Sequence, residues 1–150
     1  MKKFIAVLLL AILSGCASAP KLTSLELQAI QKRQYDSSKQ IVFASAMSVF
    51  QDLGYTIKSA DIQTGLIQAQ SPTESTVFFG SYMSNVEATA FVEELSPAKS
   101  SIRLNFVQVN ESSSGYGMKS KSDTPIVDSK VYQNAFTKIQ EAIFIRTNTQ

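Results

Sequence analysis

The chain has 150 residues, with 14 basic and 12 acidic side chains, no histidine and one cysteine. Without histidine it lacks the usual general base of serine hydrolases and the commonest zinc ligand, and one cysteine excludes an internal disulfide. The length suits one domain, and an apolar fraction of 44% supplies enough side chains for a core.

The chain begins with the basic pair Lys2 and Lys3, followed by an apolar run from Phe4 to Leu13 that leads into Ser14-Gly15-Cys16. At about 1.5 Å per residue, a helix of this run would reach roughly 15 Å, half of a bilayer core of about 30 Å, which disfavours a spanning helix. The pattern resembles the signal peptide (residues 1–15) and lipobox of bacterial lipoproteins. The resemblance implies cleavage before Cys16, diacylglycerol on its thiol and acylation of the new amine.

Lipidation of Cys16 would also explain the single cysteine, because a free thiol is a liability in an oxidising compartment. Two or three acyl chains on one residue give stable membrane anchoring. The alternative is an uncleaved anchor with Cys16 as an ordinary small residue. In lipoproteins an acidic residue after the cysteine resembles an inner-membrane retention signal, so Ala17 favours the periplasmic side of the outer membrane. Loss of Lys2 and Lys3 would leave equal numbers of acidic and basic residues, which weakens the case for a nucleic-acid partner.

Residues 16–33 are predicted to form a lipidated tether that is partly helical, and residues 34–150 a periplasmic domain. In the tether, Thr23 and Ser24 can cap a short helix that has Glu26 in its first turn. The stretch from Gln34 to Asp36 is a candidate first strand.

A clearer helix follows. Ser37 with Gln40 three residues later matches a capping box. Gly54 suits the left-handed turn that ends many helices, so we predict a helix from about Ser38 to Leu53. Its apolar face consists of residues at three- and four-residue spacings: Val42, Ala46, Val49, Phe50 and Leu53.

Two hairpins are predicted next. Tyr55–Ala60 and Leu66–Gln70 alternate between polar and apolar residues around a glycine-containing turn, and Pro72 follows the second strand. The second hairpin turns at Ser96-Pro97-Ala98-Lys99. Its strands carry inward-facing residues at alternate positions: Val86, Ala88, Ala90 and Val92 before the turn, and Ile102, Leu104 and Phe106 after it.

A closing helix is predicted, with Thr124 as its cap and Pro125 at its first position. Tyr132 and Phe136 flank its apolar stripe and are interpreted as core packing rather than as a ligand-stacking site. The stripe runs at four-residue intervals through Val127, Val131, Ala135, Ile139 and Ile143. The predicted fold is therefore α+β, an antiparallel sheet of four or five strands with two helices packed on one face in a helix-grip-like arrangement.

Several motifs resemble a group of small, uncharacterised Gram-negative outer-membrane lipoproteins. They are Phe50–Tyr55, Thr64–Ile67, and the pair Tyr132 and Phe136 followed by an apolar end at Ile143-Phe144. The element order is also similar to the helix-grip domains of the BamC-type lipoprotein of the outer-membrane β-barrel assembly machinery. This second similarity implies a fold and carries no function with it.

Two patterns could suggest catalysis. Ser96-Pro97-Ala98-Lys99 has the serine-x-x-lysine spacing of penicillin-interacting enzymes, but that pair needs a helix, and a turn is predicted here. Glu93 and Glu94 are adjacent on a strand, so their side chains should point to opposite faces and cannot form an acid-base pair. We therefore expect no enzyme activity, no metal site and no cofactor apart from the lipid on Cys16.

Two segments are candidates for partner contact. Val77 to Met83 is rich in aromatic residues and forms either a further strand, which we favour, with Val77 and Phe79 inward, or an exposed apolar surface. Glu111 to Asp123 has the composition of a flexible loop that could contact anionic lipid or a partner, although a loop without function is the commoner interpretation. The expected contact residues are Phe78, Phe79, Tyr82, Met83, Tyr116, Lys119 and Lys121.

Together these features predict a periplasmic protein that works by binding other proteins, as a scaffold or accessory subunit of an envelope assembly. Its expected partners are the membrane, through the lipid, and other envelope proteins. The alternative is a carrier that holds a lipid or another apolar ligand in a groove between the last helix and the sheet.

Overall fold

The structure, a computed structural model, describes residues 22–77, 80–115 and 118–149. The predicted signal peptide, Cys16, Phe78, Phe79 and Tyr116 lie outside these ranges. The described helices are α1 (Ser24–Gln31), α2 (Lys39–Asp52) and α3 (Ser129–Asn148). The strands are β1 (Lys32–Tyr35), β2 (Thr56–Asp61), β3 (Leu66–Gln70), β4 (Glu74–Val77), β5 (Gly80–Ser96), β6 (Lys99–Ser114) and β7 (Lys119–Pro125).

The strands form one antiparallel sheet in the order β1-β6-β5-β3-β2, with β4 also paired to β5 and β7 to β6. The predicted α+β class, with an antiparallel sheet, is confirmed. The sheet has seven strands where four or five were expected, because β5 and β6 continue well past the core and their far halves pair with β4 and β7. The described part also has three helices, since the short tether segment forms α1.

The core lies between one face of the sheet and helices α2 and α3. Phe106 lies at its centre, with its ring 5.2 Å from Tyr132 and 6.4 Å from Phe50 in edge-to-face arrangements. Tyr132 and Phe136 are buried, as predicted for core packing. The inward faces of both strands in the second hairpin are confirmed by buried Ala88, Ala90, Val92, Ile102, Leu104 and Phe106; Val86 is half-buried.

Helix α2 is capped at both ends, by the Ser38 side chain at its start and by backbone hydrogen bonds at its end. Its N-cap is Ser38 rather than the expected Ser37, whose carbonyl oxygen instead accepts a bond from the Ser100 hydroxyl at 3.0 Å. At the other end, Gly54 adopts a φ of 83° and donates its N–H to Gln51 O at 2.9 Å. Tyr55 N–H closes the motif on Phe50 O at 2.8 Å, so the predicted left-handed stop is confirmed.

The residues before α2 form α1 and β1, and β1 lies at one edge of the sheet. In α1, Thr23 and Glu26 form a reciprocal capping box, which confirms the short helix predicted there. Strand β1 starts at Lys32, two residues before its predicted start, and pairs with β6. The Tyr35 hydroxyl donates to the Phe136 carbonyl oxygen at 3.0 Å and thereby links β1 to α3.

The predicted start of the last helix is wrong. Thr124 and Pro125 belong to β7, and α3 begins at Ser129 with Asp128 as its N-cap. Val127 precedes the helix and is exposed, and Val131 is also exposed. The buried face of α3 therefore comprises Tyr132, Ala135, Phe136, Ile139 and Ile143.

Candidate contact surface

The sheet extends past the core as a four-stranded arm. Core packing ends at the half-buried Val86 on β5 and at Phe106 on β6, but both strands continue toward Gly80 and Ser114. We call this part the distal arm: β4, residues 80–85, residues 107–114, and β7. Its strand order is β4-β5-β6-β7, and its side chains on the face that continues the core are mainly polar.

The distal arm brings together the two segments that the sequence marked for partner contact. Gly80 pairs with Ser114 across β5 and β6, and Ser113 pairs with Lys119 across β6 and β7. Ser114 N–H also donates to Met118 O at 2.9 Å. The strand ends next to residues 78–79 and 116–117 therefore lie at one end of the sheet.

The interpretation of each segment changes in part. Strand structure is confirmed for the described residues between Val77 and Met83, although they form two strands, β4 and β5, rather than one. The interpretation of Glu111–Asp123 as one flexible loop is wrong, because Glu111 in β6 pairs directly with Lys121 in β7. Serine-rich sequence has low strand propensity, but pairing along the whole of β5 outweighs that preference.

Alternation along the strands separates the predicted contact residues onto two faces. Met83, Lys119 and Lys121 share the face opposite the helices and line an open cleft of about 540 Å³, together with Ser81, Glu111, Ser112, Ser113 and Ser120. Tyr82 lies on the other face and is 46% exposed, close to the 45% of Met83. Met118, at 76% exposed, lies at the same end of the arm.

A side-chain network holds Tyr82 in place. Its hydroxyl donates to Asn110 Oδ1 at 2.7 Å, and Ser84 Oγ donates to the same oxygen at 3.0 Å. Gln108 Nε2 donates to Ser84 Oγ at 3.1 Å. Sequence reasoning missed Ser84, Gln108 and Asn110. The signal that could have found them is the alternation of polar residues that continues the β6 core pattern past Phe106.

The cleft carries charges of both signs. Lys121 Nζ lies 4.0 Å from Asp123 Oδ1, and both side chains are more than half exposed, so this ion pair contributes little to stability. Glu111 lies directly across from Lys121. At the inner end of the same face Val109 is buried, between its strand neighbours Asn85 and Asp123. The cleft lining thus combines one methionine, several hydroxyl groups and charged side chains of both signs, a composition that suits contact with a protein surface.

The two patterns that resembled catalytic motifs have structural roles. Ser96 and Lys99 pair with each other across the Pro97-Ala98 turn, so this segment is the predicted turn. Glu93 accepts a bond from the Ser101 hydroxyl at 3.3 Å and lies 3.9 Å from Lys32 Nζ, while Glu94 is its neighbour on the strand. Within residues 22–77, 80–115 and 118–149, no three histidine, cysteine or acidic side chains are grouped to hold a metal ion.

A second cleft corresponds to the groove expected for a carrier. It has a volume of about 440 Å³ and lies between the start of α3 and the sheet. Its lining includes Leu53, Tyr55, Phe106 and Val131, with Lys130 and Asn134 among its polar residues. Burial raises the pKa of the Tyr55 hydroxyl. The helix-sheet interface beneath is filled by Phe50, Phe106 and Tyr132, so the cleft is shallow.

Comparison with known proteins gives little further information. No family model matches the sequence, and no curated protein matches it either. Among solved structures, the fold is similar to a DUF4468 family protein from Bacteroides ovatus, with a TM-score of 0.41 and 9% sequence identity over 85% of this chain and 91% of that chain. This likeness is too weak to carry an argument about function. None of the described helices is both long and apolar enough to cross a membrane.

Proposed function

We propose that this protein is a lipoprotein anchored on the periplasmic side of the outer membrane, where it binds other envelope proteins as a scaffold or accessory subunit. Cys16 carries the lipid, and the end of the distal arm is the contact surface. One observation carries the proposal: the segments 77–83 and 111–123, which are 28 or more residues apart in sequence, meet at one end of the distal arm. Gly80 pairs with Ser114 there, and Ser113 pairs with Lys119.

The exposed side chains on the arm suit protein contact. Tyrosine and methionine are enriched in protein interfaces, whereas serine and lysine are depleted, so Tyr82, Met83 and Met118 are the anchoring residues. Tyr82 is also pre-ordered, because its hydroxyl is bonded to Asn110. A ring held in its bound position loses less conformational entropy when a partner covers it.

The anchor can be tested separately from the contact surface. We expect intact-mass analysis of protein from the native host to show a chain that starts at Cys16 and carries diacylglycerol and an N-terminal acyl group. Cys16→Ser should leave the precursor uncleaved and without lipid. A chain that retains residues 1–15 and has no lipid would overturn the proposed location.

The contact surface can be tested with matched variants. Phe91 and Leu95 are 46% and 45% exposed, the same as Tyr82 and Met83, but they lie on β5 outside the arm. We expect the double variant Y82A/M83A to lose partners in a cross-linking pull-down from native membranes. The control F91A/L95A should retain them.

A second experiment adds two predicted contact residues that lie outside the described ranges, Phe78 and Tyr116. Adding Phe78→Ala and Tyr116→Ala to Y82A/M83A should remove any partners that remain. An unchanged set of cross-linked proteins in this quadruple variant would contradict the proposed contact surface. Equal losses in F91A/L95A would show that the assay reports general surface change instead.

A carrier is the second candidate, because the cleft at Tyr55 and Val131 is largely apolar. Native mass spectrometry and lipid extraction of the purified protein distinguish the two functions, since a carrier should retain cargo and a scaffold should not. If cargo is found, Val131→Trp should displace it by filling the cleft. Val127→Trp, which alters an exposed residue outside the cleft lining, is the matched control.

A further inference from the structure

Strand β7 has one paired edge and one open edge. It pairs with β6 from Val107–Pro125 to Ser113–Lys119, and all seven of its residues are exposed. Within the part of the chain that the structure describes, no strand pairs with its outer edge. An exposed edge is a template for another strand.

The direction of the backbone groups along β7 follows from the bonds at its two ends. Met118 O accepts from Ser114 N–H, and Ile126 N–H donates to Phe106 O, so even-numbered residues direct their backbone groups toward β6. Odd-numbered residues therefore direct theirs outward, since backbone groups alternate along a strand. Lys119, Lys121 and Asp123 therefore direct N–H and C=O groups to the edge, where no other described residue pairs with them. Pro125, which has no N–H, also faces outward, where it disturbs no bond to β6.

The side-chain sequence of this edge is self-complementary. When two copies of β7 run antiparallel about a two-fold axis at Ser122, Lys121 of each copy lies directly across from Asp123 of the other. The outward backbone groups of these two residues then form reciprocal hydrogen bonds, and Lys119 N–H faces Pro125 O. We propose that the protein self-associates through this pairing, so that the seven-stranded sheet continues into a second copy.

Charge selects this arrangement over other registers. Lysines on an edge normally oppose pairing between identical strands, because like charges meet. Asp123, two residues after Lys121 and on the same face, removes that repulsion only in the register centred on Ser122. A contact of one short strand is small, so the association is weak and transient. It uses the edge of the arm and not its end, and it does not rest on the proposed function.

Position-specific disulfide trapping in the full-length chain tests the register. At the two-fold axis the two copies of Ser122 form a non-hydrogen-bonded pair with Cα atoms about 4.5 Å apart, within the range of a disulfide. Ser122→Cys should therefore give a disulfide-linked dimer when the purified full-length protein is mildly oxidised. Ser120→Cys is the matched control, because its two copies would be four residues out of register, about 13 Å apart, and should not cross-link. The unsubstituted chain, in which Cys16 is the one cysteine, is the control for any disulfide-linked dimer that forms without a cysteine in β7.

Charge reversal tests the mechanism within a Ser122→Cys/Glu111→Gln background, because the Glu111 carboxylate lies directly across from position 121 in the same copy and would repel a glutamate there. Lys121→Glu or Asp123→Lys alone places like charges across both symmetric pairs, and we expect the dimer yield to fall roughly fivefold or more. The combined exchange K121E/D123K restores opposite charges and should restore the yield, which a folding defect would not do. The proposal is overturned if Ser120→Cys cross-links as well as Ser122→Cys, if neither cross-links, or if the combined exchange fails to recover the dimer.

Discussion

At the scale of single residues, Gly54 and Gly65 both have left-handed backbone but for different reasons. Gly65 has a φ of 79° in the turn between β2 and β3, and its carbonyl oxygen accepts the Val92 N–H at 2.8 Å. A Cβ atom at this position would overlap the Val92 carbonyl oxygen. Gly54 has a φ of 83° but open space around it, so only its backbone conformation demands glycine.

We predict that Gly65→Ala lowers the free energy of unfolding by roughly 3 kcal/mol or more, since steric overlap adds to backbone strain. Gly54→Ala should cost only about 1 kcal/mol, from backbone strain alone. Urea unfolding of both variants measures the difference. Equal losses would show that Val92 and its strand move away from the turn at little cost.

Tyr35 links stability to alkaline pH. Burial raises the pKa of its hydroxyl to about 12, although the charge of Arg33 opposes the shift. The folded state therefore holds this proton at a pH where the unfolded chain, with a pKa near 10, has released it. Its stabilising effect is complete below pH 10 and is lost as the pH rises from 10 to 12.

We predict that Tyr35→Phe costs about 1 kcal/mol at neutral pH, because the bond to the Phe136 carbonyl is lost. The variant should also lose stability less steeply than the unsubstituted protein between pH 10 and 12. Part of the decline should persist, since burial raises the pKa of Tyr55 as well. Denaturation midpoints measured across this range test the prediction, and parallel curves for both proteins would contradict it.

At the scale of elements, α2 and α3 show when local sequence signals suffice. The apolar spacing and Gly54 in α2 agree with the structure, and although the N-cap is Ser38 rather than Ser37, the range of the helix was predicted to within one residue at each end. By local rules Thr124-Pro125 is an equally good start for helix α3, but in the structure these two residues pair with β6 as part of β7. A proline is tolerated there because its nitrogen faces the open edge of the sheet. Pairing with a distant strand cannot be deduced from the helix sequence.

We predict that Asp128→Ala lowers the free energy of unfolding by about 1 kcal/mol, because Asp128 Oδ1 accepts the Lys130 N–H at 2.9 Å. Thr124→Ala, at the cap expected from sequence, should change stability by less than about 0.5 kcal/mol, since Thr124 is exposed in β7. Thermal unfolding of the two variants decides which residue caps the helix. A larger loss for Thr124→Ala would place the start of α3 earlier.

At the scale of the whole molecule, the sequence singled out two candidate contact segments but did not predict that they meet. Each was visible from its composition, aromatic in one and serine-rich in the other. Their proximity depends on the register of the part of β5 before Val86 against the part of β6 after Val109, where no apolar alternation remains to indicate a strand. The same reason explains why the network around Asn110 and the cleft at Met83 were missed.

The distal arm should therefore be locally less stable than the rest of the same strands. Residues 86–92 and 100–106 are hydrogen-bonded and pack in the core against the helices, whereas residues 81–85 and 107–114 are hydrogen-bonded without that cover. Local unfolding is favoured where few apolar contacts are lost. We predict that the arm amides exchange with solvent at least roughly ten times faster than the core amides of β5 and β6. Hydrogen exchange read by mass spectrometry at low protein concentration measures this. Uniform protection along both strands would contradict this prediction and would mean that backbone pairing alone makes the arm as stable as the core.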